Sequence, residues 1–124
     1  MTFDVEIVLR ERDYAVTERV VIPPAAGEPD RAPADWTDRD VAQVLKEILL
    51  SIDRVRNPAA EHRYVALRGF SWIVEPTAEG GVVVAIEIPS GAAVAGPFAV
   101  EQRALDRSIA RVLAAAAPGR PVVH

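Results

Sequence analysis

Residues 88–100 read IPSGAAVAGPFAV, a stretch without charge in a chain whose residues are 26% charged. How this stretch is read decides the fold. Its prolines and glycines argue for a connector rather than a regular element. Taken as a connector, it separates a hairpin over residues 64–88 from a helix over residues 97–117. Gly96 and Pro97 then stand at the first turn of that helix, where a missing N–H costs nothing. Connectors are normally solvated, so one without charge is expected to lie against protein, and Gly91 and Gly96 permit close backbone approach. The stretch lacks both the Lys-Ser/Thr ending of a phosphate loop and the GxGxxG spacing of a dinucleotide site.

Upstream, the segment Tyr64 to Val74 alternates cleanly only if a bulge at Arg68-Gly69 brings Val65, Leu67, Phe70, Trp72 and Val74 to one side. Its partner strand offers Val82, Val84, Ile86 and Ile88 to the same side, with Glu79-Gly80-Gly81 as the turn. The reverse face of this hairpin then shows Tyr64, Ala66, Ile73, Val83 and Ala85, with Arg68, Ser71, Glu75 and Glu87 around them. A sheet apolar on both sides is either central in its layer or covered by another surface.

The first half repeats the order. Phe3, Val5, Ile7 and Leu9 face one way from a first strand, and Asp4, Glu6 and Arg10 face the other, with Val8 as the exception. After the polar turn Glu11-Arg12-Asp13, Tyr14, Val16, Val20 and Ile22 continue the apolar face, with Glu18 interrupting it. Opposite charges at Glu6 and Arg19 suit a cross-strand pair. Residues 23–36 hold four prolines and no periodicity, and read as a loose surface connector. Thr37 and Asp40 have the spacing of a capping box, and Trp36 and Val41 that of a hydrophobic staple. Val41, Val44, Leu45, Ile48, Leu49, Ile52 and Val55 form the stripe of a helix that Asn57-Pro58 ends. In the last helix Leu105, Ile109, Val112 and Ala116 form the buried stripe, with Phe98 anchoring its start. Arg103, Arg107 and Arg111 recur at every fourth position as a basic stripe on another face.

The expected architecture is therefore a single α+β domain over residues 1–124, made of ββα units at 1–57 and 63–117 with a mobile tail at 118–124. Hairpins followed by helices favour a two-layer sandwich: a mainly antiparallel four-stranded sheet with two helices on one face. A chain of 124 residues buries enough surface to stand without disulfides or metal, in keeping with the absence of cysteine. The N-terminus has no signal-peptide pattern and no stretch is long enough to span a membrane, so a cytoplasmic protein is expected. Net charge is −4, which disfavours nucleic acid as a partner. Lys46 is the only lysine among 14 basic residues, a skew that fits a GC-rich bacterial coding sequence.

Little in the chain announces chemistry. His62 and His124 are the only histidines, and with no cysteine they build no metal set. The four serines lie in no nucleophile-elbow sequence. One enzymatic arrangement can be drawn, with Glu75 facing Glu87 near Arg68 and His62, so that one carboxylate titrates high. A small-molecule pocket lined by Phe70, Trp72 and Phe98 between sheet and helices is a second alternative. The leading expectation is a small interaction module with no cofactor, homodimeric or bound to another protein. Its interface would draw on Tyr64, Ile73, Val83, Ala85, Val94, Arg103, Arg107 and Arg111.

Overall fold

The computed structural model describes residues 1–116, so the expected end of the last helix at residue 117 and the tail lie outside the described residues. Five strands and two helices follow in the order β1 (Thr2–Leu9), β2 (Ala15–Val21), α1 (Asp38–Arg56), β3 (Ser71–Pro76), β4 (Val82–Ile88), β5 (Gly91–Phe98) and α2 (Gln102–Ala116). The strands form one antiparallel sheet in the order β2-β1-β5-β4-β3. The α+β class stands. The four-stranded ββα–ββα arrangement does not, because the uncharged stretch at 88–100 is no connector.

That stretch supplies β5, the middle strand. It pairs with β1 on one side, Leu9 opposite Gly91 through Val5 opposite Ala95, and with β4 on the other. A strand flanked on both sides has no edge at which charges can be solvated, which accounts for its composition. Only Pro89-Ser90 separates the paired residues Ile88 and Gly91, so β4 and β5 form a tight hairpin. A Cβ on Gly91 would sit 2.5 Å from the Val8 carbonyl oxygen and 3.0 Å from the Leu9 Cα, so glycine lets β1 approach.

The bulge also lies elsewhere than expected. Phe98 pairs with Val82 and Ala95 with Val84, so Gly96 and Pro97 together oppose Val83. A bulge tolerates a proline because its residues leave the ladder. Pro97 thus belongs to the end of β5, and α2 begins only at Gln102. Residues 64–70 are not a strand. The β3–β4 pairing runs from Ser71 opposite Glu87 to Pro76 opposite Val82, and β4 turns at Ile88, leaving residues before Ser71 nothing to pair with. Val65, Leu67 and Phe70 pack against the core by their side chains instead.

One row of inward residues, Val5, Ala95, Val84 and Val74, crosses four strands and is wholly buried. Both helices lie over it on the same face of the sheet: α1 contacts β1, β2 and β5, α2 contacts β3, and the two helices touch each other. Val41, Val44, Leu45, Ile48, Leu49 and Ile52 of α1 and Leu105, Ile109 and Val112 of α2 complete the core. Ala116 is exposed. Phe98 closes the core's end, its ring edge-on to Phe3 at 5.3 Å and to Trp36 at 5.1 Å.

The start of α1 forms as its sequence dictates. Thr37 Oγ1 accepts from the Asp40 N–H at 3.2 Å, and Asp40 accepts from the Thr37 N–H at 2.9 Å. Removing the hydroxyl with Thr37→Ala should cost about 1 kcal/mol. Gly91→Ala should cost more, about 2 kcal/mol or above, since backbone must move to admit the methyl group. Urea unfolding of both variants checks the ranking; a Gly91→Ala protein as stable as the parent would contradict the close approach of β1 and β5.

Candidate interaction surface

With both helices on one side, the other face of the sheet is left open among the described residues. Strand register arranges its side chains in rows. The central row runs Thr17, Glu6, Val94, Ala85, Ile73 from β2 to β3. On the side toward the β4–β5 turn the row is Ala15, Val8, Ala92, Glu87, Ser71. On the other side Arg19 pairs with Asp4, and across β5 Val83 pairs with Glu75. The central row is therefore apolar from Val94 to Ile73, with Glu6 and Glu87 on the strands flanking β5 and Arg19 and Glu75 at the margins. Ile73, Val94 and Val8 are 51%, 42% and 41% exposed, unusually open for large aliphatic side chains.

Sequence reasoning had assembled this surface only in part. Of its interface residues, Ile73, Ala85 and Val94 are direct neighbours in the central row, with Val83 beside Ala85 along β4. Tyr64 lies elsewhere: the segment it belongs to runs beside the end of α1, where Tyr64 shares a small cleft with Leu49, Asp53 and Arg56. Arg103, Arg107 and Arg111 are on α2, in the opposite layer, exposed to solvent. Arg111 grips Asp38 in the first turn of α1 with contacts of 2.6 and 2.8 Å. Val8, Ala92 and Glu6 belong to the open face and were missed. For Glu6 and Val8 the signal, outward alternation in β1, was present, but their adjacency to Val94 depends on β5 lying beside β1; Ala92 gave none, since its segment read as a connector.

The other arrangements drawn from sequence come apart. Glu75 opposes Val83 and Glu87 opposes Ser71, so the two carboxylates stand four residues apart along the hairpin, about 13 Å. Phe98 is packed on Phe3 and Trp36, whereas Phe70 lines a shallow surface cleft with Arg10 and Glu87. The cross-strand ion pair of the first hairpin joins Arg19 to Asp4 at 3.1 Å, because the register sets Glu6 opposite Thr17. Among the described residues no group of histidine, aspartate and glutamate converges as a metal set.

Elsewhere the polar groups are spent on holding elements together. Glu18, the interruption in the apolar face of β2, bonds Arg54 of α1 at 3.1 Å, and Arg54 also donates to the buried Ser51. The proline-rich connector is tied rather than loose: Asp30 meets the N-terminal ammonium at 2.7 Å, and Glu28 meets Arg39 at 2.6 Å and Arg31 at 3.4 Å. These groups wall a cleft of about 370 Å³ between connector and α1, lined also by Met1, Val21, Ile22 and prolines of the connector. No family model matches the chain, and comparison with curated proteins and with solved structures gives no match.

The ion pairs set the acid response. Hydrogen bonds from Arg39 and then Arg31 hold the Glu28 carboxyl below the usual carboxylate range, Arg111 does the same for Asp38, and Arg63 for Asp53. A lowered folded-state pKa stabilises the fold above the unfolded carboxylate range, and that stabilisation is lost as pH falls through the depressed values. Carboxyl titration by NMR should therefore place Glu28, Asp38 and Asp53 each below the ordinary value for its residue type. Arg39→Ala should move Glu28 upward and leave Asp53 where it was; no movement would contradict the pairing.

Proposed function

We propose that this protein is a protein–protein interaction module that self-associates through the open face of its sheet. The observation that carries the reading is the row Val94, Ala85, Ile73 with Val8 and Val83 beside it, a contiguous apolar strip left facing solvent. Exposed apolar patches of this kind mark association sites. A flat sheet face suits another flat protein surface better than a small molecule, which takes its affinity from concave enclosure. Five strands of six to eight residues present about 500 Å² per copy, or about 1,000 Å² for a pair. That area stands at the lower end of specific interfaces and is compatible with a dimer that forms at micromolar concentration.

The reading is tested by size exclusion with light scattering over a wide concentration range. The wild-type protein, 13.4 kDa, should rise toward twice that mass as concentration increases. The double variant Ile73→Glu, Val94→Glu should remain folded, because both positions are already exposed, and should associate at least about 100-fold more weakly, because it adds two carboxylates to a face that already carries Asp4, Glu6, Glu75 and Glu87, and like charges brought together repel. A double variant that associates like the parent would sink the reading.

A further inference from the structure

We infer that two copies dock face to face about a two-fold axis running along β5, with Arg19 of each copy on Glu75 of the other. The inference rests on the reading of the open face given above and specifies its occupant and geometry. Its basis is the distribution of charge about the middle strand. β5 lies at the centre, and β2 and β3 are both two strands away from it, at opposite edges. Arg19 projects from β2 and Glu75 from β3, each in line with the outer end of β5 where Gly96 and Pro97 bulge. Both are exposed. The face therefore carries opposite charges at matching places on its two margins.

A closed dimer joined by one surface must be isologous, so each residue meets the position that the two-fold assigns it. Rotation about an axis along β5 exchanges the two margins and keeps every row in place. Arg19 then meets Glu75, Asp4 meets Val83, Glu6 meets Ala85, and Val8 meets Glu87, while Val94 packs on its own copy at the axis. No acid opposes an acid. The alternative two-fold, across the strands, keeps each strand over itself and reverses the rows, which sets Glu6 directly on Glu6 of the other copy. Like charges so placed are destabilising. Aligned sheets pack with an angle of about 30° between them, which displaces the margins by about 5 Å along the strands. An arginine side chain spans that offset. Within one copy Arg19 already touches Asp4 at 3.1 Å, so its guanidinium is held over the face rather than turned off its edge.

The test is a charge exchange read by analytical ultracentrifugation and by native mass spectrometry with one partner isotopically labelled. Arg19→Glu alone and Glu75→Arg alone should each weaken self-association about tenfold or more, since each places like charges together twice. Mixing the two single variants should restore dimers of mixed composition, because the introduced carboxylate at position 19 meets the introduced guanidinium at position 75 while the other pair is native. The chain carrying both substitutions should self-associate within about threefold of the wild type. If the single variants bind as the wild type does, or if mixing restores nothing, the axis along β5 is overturned, although the surface itself stands provided Val94→Glu abolishes association. A wild-type protein that stays monomeric, or a Val94→Glu protein that still dimerises, overturns the surface and the axis together.

Discussion

The pairing of β5 with strands on both sides is the constraint on which the rest of the molecule depends. β1 and β2 form one hairpin and β3 and β4 another, and nothing in the main chain joins these hairpins edge to edge except the strand between them. Antiparallel pairing demands that β1 and β4 both come within hydrogen-bonding distance of β5. Small residues make that approach feasible: Gly91 lies under the Val8 carbonyl, and Ala93 and Ala95 fill the inward side where the helices press down. On the outward side the neighbours of Val94 along the strand are the small residues Ala92 and Gly96, so its side chain stands clear.

The two layers divide the labour of the side chains. Between sheet and helices the contacts are almost wholly apolar, and Ser51, the one polar side chain fully buried among the described residues, donates to the Glu47 carbonyl at 2.8 Å. Around the helix layer, ion pairs stitch elements distant in sequence: Arg54 to Glu18, Arg63 to Asp53, Arg111 to Asp38. Such pairs on an exposed surface add little stability individually. The unprotected edge of β3 is managed locally, since the Gln102 side-chain amide donates to the Val74 carbonyl at 2.8 Å. A side chain bonded to an edge carbonyl leaves that edge less open to strand addition.

Much of this architecture was legible in the sequence wherever local chemistry is decisive. The capping box at Thr37 and Asp40 and the stripe from Val41 to Ile52 marked α1 from start to end, because a helix satisfies its own backbone. Alternation marked β1, and the paired glycines at 80 and 81 marked the β3–β4 turn, where both adopt φ values near +90°. The stretch at 88–100 misled because its glycine, alanine and proline content is unfavourable for an isolated strand. Residues 64–70 misled in the opposite sense: their apolar residues fit a strand, yet no partner strand reaches them. Of the interface residues, Ile73, Val83, Ala85 and Val94 came together, while Tyr64 and the arginines of α2 lie on other surfaces.

Contacts within a few residues fix α1, the body of α2, the turns joining β1 to β2 and β3 to β4, and the inward faces of β1 and β4. The start of α2, the β4–β5 turn, the extended form of β5, its place between β1 and β4 and the outward neighbours across it come from pairing in the folded molecule. Strand pairing joins residues far apart in the chain, and a one-residue change of register would turn every side chain to the other face. The open surface, with Glu6, Val94, Ala85 and Ile73 in one line, exists only because backbone hydrogen bonds from three parts of the chain share a single register.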